Sequence, residues 1–212
     1  LLIQAKGHEH ENRYLARLKI SGREIVEIPA GQGISIDEQA RLTREALASG
    51  IEVIYQATFL EEPWMGMADF LFRVDTPSDL GEFSYEVYDT KLSKKPKPSF
   101  ILQLCLYSEL LASIQGRLPD SCYLILGDDT ESAHRLSSVI HYYRHTKRRL
   151  ESFLTAVVKC TTPEPCAACE LCHWRDRCRS QWEAADHLSA VANITRQQLE
   201  KLRSEKIDTL AS

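Results

Sequence analysis

The sequence has no run of about 18 apolar residues, the length a membrane-spanning helix requires. Its opening, LLIQAKGHEHENRY, is too short and too charged for a signal peptide. These absences lead to the expectation of a soluble, cytoplasmic protein with no membrane partner. An excess of positive charge is also lacking. With a net charge of −4, binding to nucleic acid would have to come from a local basic patch, since the whole-chain field opposes it. Internal repeats and low-complexity segments do not occur, and no cysteine precedes Cys105. The first residue is Leu1, already within an apparent helix, so the chain is expected to be a piece of a longer protein.

Hydrophobic residues make up 43% of the chain, enough for a real core, so disorder is not the default. Two basic patches stand out: Lys91, Lys94, Lys95 and Lys97, then Arg144, His145, Lys147, Arg148 and Arg149. Cys105 and Cys122 lie in apolar stretches and Cys160 follows a helix, whereas Cys166, Cys169, Cys172 and Cys178 crowd into thirteen residues. Two-residue spacings suit convergent ligands, so this crowding points to a metal or cluster site over a disulfide framework.

Periodicity predicts helix over residues 8–20, a short strand at 24–29, and a second helix capped by Asp37 and stopped at Gly50. Strand-like runs follow at 52–59, 67–74 and 83–92, then a helix at 99–115, a buried strand at 121–127 and a long helix over 138–158. This order fits an α/β fold with a mixed central sheet flanked by helices. Beyond Lys159 the composition turns polar and proline-flanked, a Cys-rich loop whose order must come from metal or docking. The tail ITRQQLEKLRSEKIDTLAS returns to helical spacing with Thr195 as N-cap. The expected division is a core at 1–159, a cysteine segment at 160–186 and a helical tail at 187–212.

The stretch YEVYDTKLSKKPK places charge inside an apolar strand. Residues two apart on a strand share a face, so Asp89 and Lys91 project together. A hairpin with the preceding run would set Asp69 across from Asp89. Two close carboxylates repel unless a cation lies between them, and a hard divalent ion with oxygen ligands answers that need. The bland alternative is a turn aspartate and an edge-strand ion pair. Against it, Phe70, Phe72, Tyr85 and Val87 mark both strands as core-facing, and Gln103 and Tyr107 set polar groups one turn apart on the next helix.

MADFLFRV, YEVYDTKL and LQLCLYSELL together resemble motifs II, III and Gln-x-x-x-Tyr of RecB-like nucleases in the PD-(D/E)xK superfamily, and GHEHENRYL resembles the helix preceding them. The resemblance runs through nearly all of the chain and is nearest to nucleases lying upstream of a ribonuclease H-like or helicase region. It implies a restriction-endonuclease-like core that hydrolyses DNA, single-stranded or end-bearing, as an exonuclease or endonuclease in repair, recombination or defence. It further implies Mg²⁺ or Mn²⁺ held by His10, Asp69, Asp89 and the Thr90 carbonyl, Lys91 as catalytic lysine, and Gln103 and Tyr107 contacting or positioning DNA. Lys94, Lys95 and Lys97 would meet phosphates at the mouth of the site. Ala68 stands where the motif has its proline, a position that supplies no ligand.

Cys169, Cys172 and Cys178 resemble the carboxy-terminal trio of the iron–sulphur branch of these nucleases, whose fourth cysteine lies far upstream. Here either that ligand belongs to a preceding segment or Cys166 takes its place. A 4Fe-4S cluster of structural role, a Zn²⁺ site and free thiols all remain open. The tail resembles the start of a helix-hairpin-helix element, with a plain connector helix as the alternative. Two readings from other classes stand beside the nuclease: a non-catalytic nucleic-acid-binding scaffold in a larger helicase-like protein, and a metal-binding interaction module centred on the cysteines.

Overall fold

Leu15 and Leu18 recur at helical spacing and give α1 (Leu2–Ile20) one apolar stripe, and the chain leaves it through Gly22 in a left-handed turn (φ 79°). The computed structural model describes residues 2–31, 33–156 and 163–211. They divide into two units, Leu1–Leu154 and Thr155–Ser212. In the first unit α1 is followed by β1 (Ile25–Glu27), α2 (Ile36–Ala48), β2 (Val53–Glu61), β3 (Trp64–Val74) and β4 (Ser84–Thr90). Then come α3 (Pro98–Gln115), β5 (Ser121–Ile125), β6 (Glu131–Arg135) and α4 (Ile140–Thr155).

The strands form one six-stranded sheet in the order β1-β2-β3-β4-β5-β6. Pairs β1–β2 and β4–β5 are parallel and the other three antiparallel. The parallel pairs are those joined by helices α2 and α3, because a parallel connection needs a crossover that a tight turn cannot provide. The expected α/β class with a mixed sheet flanked by helices is thus what the chain adopts. Alternation along the strands splits the core. Phe70 and Phe72 pack with Val53 against Leu15 and Leu18 of α1. Leu71, Tyr85 and Val87 join Leu47, Leu104 and Leu111 of α2 and α3 in the larger cluster.

Several boundaries differ from the sequence reading. Helix α1 begins at Leu2, six residues early, because Leu2 and Ile3 are exposed and add nothing to the apolar stripe. Ser35, not Asp37, caps α2: its Oγ accepts from Glu38 N at 3.2 Å, while Asp37 sits in the first turn beside the positive end of the helix. Ser35→Ala is expected to lower unfolding free energy by about 1 kcal/mol in a denaturant titration. Strand β4 ends at Thr90, which leaves Lys91 just beyond it. Strand β6 was not expected at all. Helix α3 starts on Pro98, one residue before the predicted 99, and ends at Gln115 as predicted, capped by Gly116 in the left-handed region (φ 70°). The predicted end of α4 at 158, the boundary at 159/160 and Cys160 lie outside the described residues.

In the second unit, α5 (Arg175–Ala184) and α6 (Arg196–Ser204) flank a short single-turn helix. Thr195 caps α6 as predicted, in a reciprocal box with Gln198. Arg203 holds Glu164 at 2.6 Å, and Trp182 donates to the Pro163 carbonyl at 2.8 Å. Among the described residues no helix is long and apolar enough to cross a membrane.

Candidate active site

Strands β3 and β4 pair with Phe70 opposite Tyr88, so the next opposed positions are Asp69 and Asp89. The Asp69 carboxylate is fixed by the neighbouring strand: Thr90 donates from both N and Oγ1 to Oδ2 at 2.7 Å. Asp89 is 2% exposed. Lys91 Nζ meets its buried Oδ2 as a close ion pair. Lys91 is itself held at two points. Its backbone N donates to the Ile125 carbonyl at 2.8 Å, and its Nζ lies 5.5 Å from the centre of the Phe100 ring. Burial first, then repulsion from Asp69, push the Asp89 carboxyl up to about 7 against the pull of Lys91.

The β2–β3 ladder has an irregularity at the same level. It pairs Tyr55 with Phe70 and Ala57 with Ala68, passing over Gln56, which takes a left-handed φ of 58°. A non-glycine residue in that region inside a strand is strained and persists where its surroundings hold it. Here the hold is visible, because Gln56 Nε2 donates to Glu11 Oε1. Glu11 is 7% exposed, and its carboxyl is raised by burial and then by the charge of Asp69. Glu11 is thus a buried carboxylate that feels the charge of Asp69 and that the sequence reading did not select. A signal for it existed: Glu11, Leu15 and Leu18 follow the four-three spacing of one helix face, which turns Glu11 inward and leaves Glu9 exposed.

His10 is buried beside these groups with both ring nitrogens engaged. Its Nε2 faces the Ile125 carbonyl at 3.3 Å, the same oxygen that receives Lys91 N, and its Nδ1 meets Arg13 Nη2 at 2.9 Å. Those partners call for the tautomer protonated on Nε2. Among the described residues no three His, Cys, Asp or Glu side chains are grouped closely enough to hold a metal ion. Asp69 and Asp89 nevertheless form an oxygen donor set suited to a hard divalent cation. They are mutually repelling, and Asp89 is largely desolvated. Thr90 sits in the ladder opposite Ile125, with its N and hydroxyl committed to Asp69.

Helix α3 brings Gln103 and Tyr107 together as the one-turn spacing predicts, Gln103 Nε2 donating to the Tyr107 hydroxyl at 2.6 Å. Burial raises the Tyr107 phenol, the Gln103 bond lowers it, and the charges of Asp89 and Asp69 raise it again. Gly66 leaves room for the Tyr107 ring, since a Cβ there would come within 2.7 Å of Tyr107 Cδ1. Lys94, Lys95 and Lys97 are exposed on the loop between β4 and α3, and Lys97 Nζ lies 5.6 Å from the Phe100 centroid. In the second basic patch, Arg144 and Lys147 are tied to Glu109 at 2.9 and 2.7 Å, while Arg148 and Arg149 face solvent.

In the cysteine segment, Cys166 and Cys169 bring their sulphurs to 3.9 Å, and Cys166 N points at Cys169 Sγ at 3.4 Å. Cys172 ends the same helical turn and Cys178 lies on α5. None of the six described cysteines is in a disulfide; Cys105 and Cys122 are buried, whereas Cys166 and Cys172 are exposed. In comparisons with known proteins, the chain matches no family model and no curated sequence.

Proposed function

We propose that the chain is a divalent-metal-dependent DNA nuclease built on a restriction-endonuclease-like core. The observation that carries this reading is the buried Asp89, set opposite Asp69 at the end of β4 with the ammonium of Lys91 against it. Such a concentration of desolvated negative charge is costly in a merely structural role. Asp69 and Asp89 would hold Mg²⁺ or Mn²⁺, which supplies an acidified water and a polarised phosphoryl oxygen when bound. Thr90 keeps Asp69 in place through two hydrogen bonds. Lys91 offsets the negative charge that develops on the phosphate in the transition state, and its anchoring at Ile125 spares reorganisation. His10 braces the same carbonyl and so positions Lys91 from behind. Gln103 and Tyr107 orient the scissile strand, and Lys94, Lys95 and Lys97 provide non-sequence-specific phosphate contacts.

The cysteine segment would staple the second unit through a 4Fe-4S cluster or Zn²⁺, with visible absorbance expected for the former and zinc on elemental analysis for the latter. Cytoplasmic residence and a helicase or ribonuclease H-like region in the same longer chain complete the proposal. The test is cleavage of end-labelled single- and double-stranded DNA with and without Mn²⁺. Lys91→Ala is expected to reduce cleavage by roughly 10²–10³-fold. No cleavage by the wild type, or equal cleavage by the variant, would leave a nucleic-acid-binding scaffold in its place.

A further inference from the structure

Two cysteines of the second unit are placed for chemistry that the nuclease reading does not use. Cys166 and Cys169 close one turn, in which Cys169 N donates to the Cys166 carbonyl at 3.0 Å. Such a turn holds its end Cα atoms within about 7 Å, the outer limit for bridging them without moving the backbone. The sulphurs stand 3.9 Å apart, and each accepts the backbone N–H of the other residue, Cys166 N lying 3.4 Å from Cys169 Sγ. Both thiols are therefore turned to the same side, and side-chain rotation alone brings them to bonding distance. The approach to the turn is tied down as well, at Pro163 by Trp182 and at Glu164 by Arg203. Cys166, Ala167 and Ala168 are exposed and Cys169 is half-buried, so a reagent reaches the pair. Among the described residues no third His, Cys, Asp or Glu side chain is grouped with them closely enough to make a metal site. Cys105 and Cys122 are the contrast: they are buried in the core of the first unit, and burial pushes their thiols up to about 11 and about 12.

We propose that Cys166 and Cys169 form a redox-active dithiol, a modification site that a low-molecular-weight disulfide such as oxidised glutathione converts to an intrachain disulfide. The exposed Cys166 sulphur attacks the reagent, whose S–S bond breaks; one small thiol leaves and a mixed disulfide forms at Cys166. Cys169 then attacks the Cys166 sulphur of that mixed disulfide and expels the second small thiol. Two protein thiols are oxidised, one small disulfide is reduced, and the two protons leave on the released thiols. The second step is the one the geometry favours, because the Cys169 sulphur already stands against that of Cys166. Closure takes up two sulphurs that the cysteine segment would offer a metal, so oxidation and metal binding exclude each other. That consequence rests on the metal reading; the disulfide does not.

The test is mass-spectrometric thiol mapping of the full chain, reduced, freed of metal with EDTA as checked by elemental analysis, and treated with excess oxidised glutathione before alkylation with iodoacetamide. In the wild type, Cys166 and Cys169 are expected to lose alkylation together and to appear in one internally bridged peptide that carries no glutathione. Dithiothreitol restores both, and Cys105 and Cys122 stay reduced throughout. Cys169→Ser is expected to stop at a stable glutathione adduct on Cys166, and Cys166→Ser to form no intrachain disulfide at Cys169. The double variant Cys172→Ser, Cys178→Ser closes the bridge as the wild type does. A wild type that leaves both thiols reduced, keeps glutathione on Cys166, or joins either residue to any other cysteine overturns the proposal. Should the double variant fail to fold, the wild-type map decides the matter. Cleavage is not the readout, so the result stands apart from the fate of the nuclease reading.

Discussion

Asp89→Asn is expected to remove metal-dependent cleavage, by roughly 10³-fold, while making the metal-free protein more stable. The two effects have one cause. Asp89 is buried between Asp69 and Lys91 with its carboxyl pushed up to about 7 from an ordinary 3.8, chiefly by desolvation and then by Asp69. Because its folded pKa lies above its unfolded one, the group contributes stability that is fully present below about pH 4 and is lost as the pH rises toward 7. Thermal melts of the metal-free wild type should therefore weaken across that window, and those of Asp89→Asn should weaken less. If the proposed divalent cation binds the ionised carboxylate, it reverses the sign for the wild type. At a hundred times its dissociation constant it adds about 2.7 kcal/mol, and it adds far less to the variant. A residue buried for structure alone behaves otherwise, since its substitution lowers stability at every pH and leaves cleavage tied to the folded fraction. Retained cleavage in Asp89→Asn, or a variant less stable than the wild type at pH 7 without metal, defeats the assignment.

The parts of this site that were legible in the sequence are those set by strand alternation and helical spacing. The facing of Asp69 and Asp89 follows from a hairpin between two apolar runs, and the Gln103–Tyr107 contact follows from one helical turn. What could not be read depends on where distant segments meet. The inward face of Glu11 was legible in helical spacing, but its hydrogen-bond partner, the distorted Gln56 of β2, was not. Nothing in the local sequence around Gln56, a polar residue in a β-branched and aromatic strand, signals a left-handed backbone. A ligand role for His10 was implied only by the family resemblance. Its contacts with Arg13 and the Ile125 carbonyl became visible only once β5 was placed beside β4. Strand β6, Glu131–Arg135, was missed because it is a polar edge strand with no buried residue, so it lacks the apolar alternation that identifies inner strands. The last residue of β4 was misplaced because Lys91 keeps extended backbone pairing to Ile125 after the strand proper has ended.

The second large effect concerns the other end of β4. Tyr85→Ala is expected to cost about 3–5 kcal/mol of unfolding free energy, because the ring is fully buried in the larger core cluster and truncation leaves a cavity. Tyr85 also ties three segments together. Its hydroxyl donates to the Ile51 carbonyl at 2.7 Å, at the entry to β2. Its backbone N and O are both held by the side chain of Gln115, at 2.9 and 3.3 Å, where α3 ends. Tyr85→Phe removes only the hydroxyl and leaves one carbonyl unpaired, so about 1 kcal/mol is expected in urea titrations. Burial raises the Tyr85 phenol above its ordinary value near 10. Its stabilising contribution is therefore complete below about pH 10 and is lost as the pH rises beyond, and Tyr85→Phe should flatten alkaline unfolding there. Tyr85, Val87 and Asp89 alternate onto one face of the same strand. If β4 acts as a rigid mount for the carboxylate, folded Tyr85→Phe keeps wild-type cleavage, whereas Tyr85→Ala loses cleavage in proportion to the unfolded fraction. Loss of cleavage in a fully folded Tyr85→Phe would instead place the phenol in the chemistry, against its distance along the strand from Asp89 and its bond to Ile51.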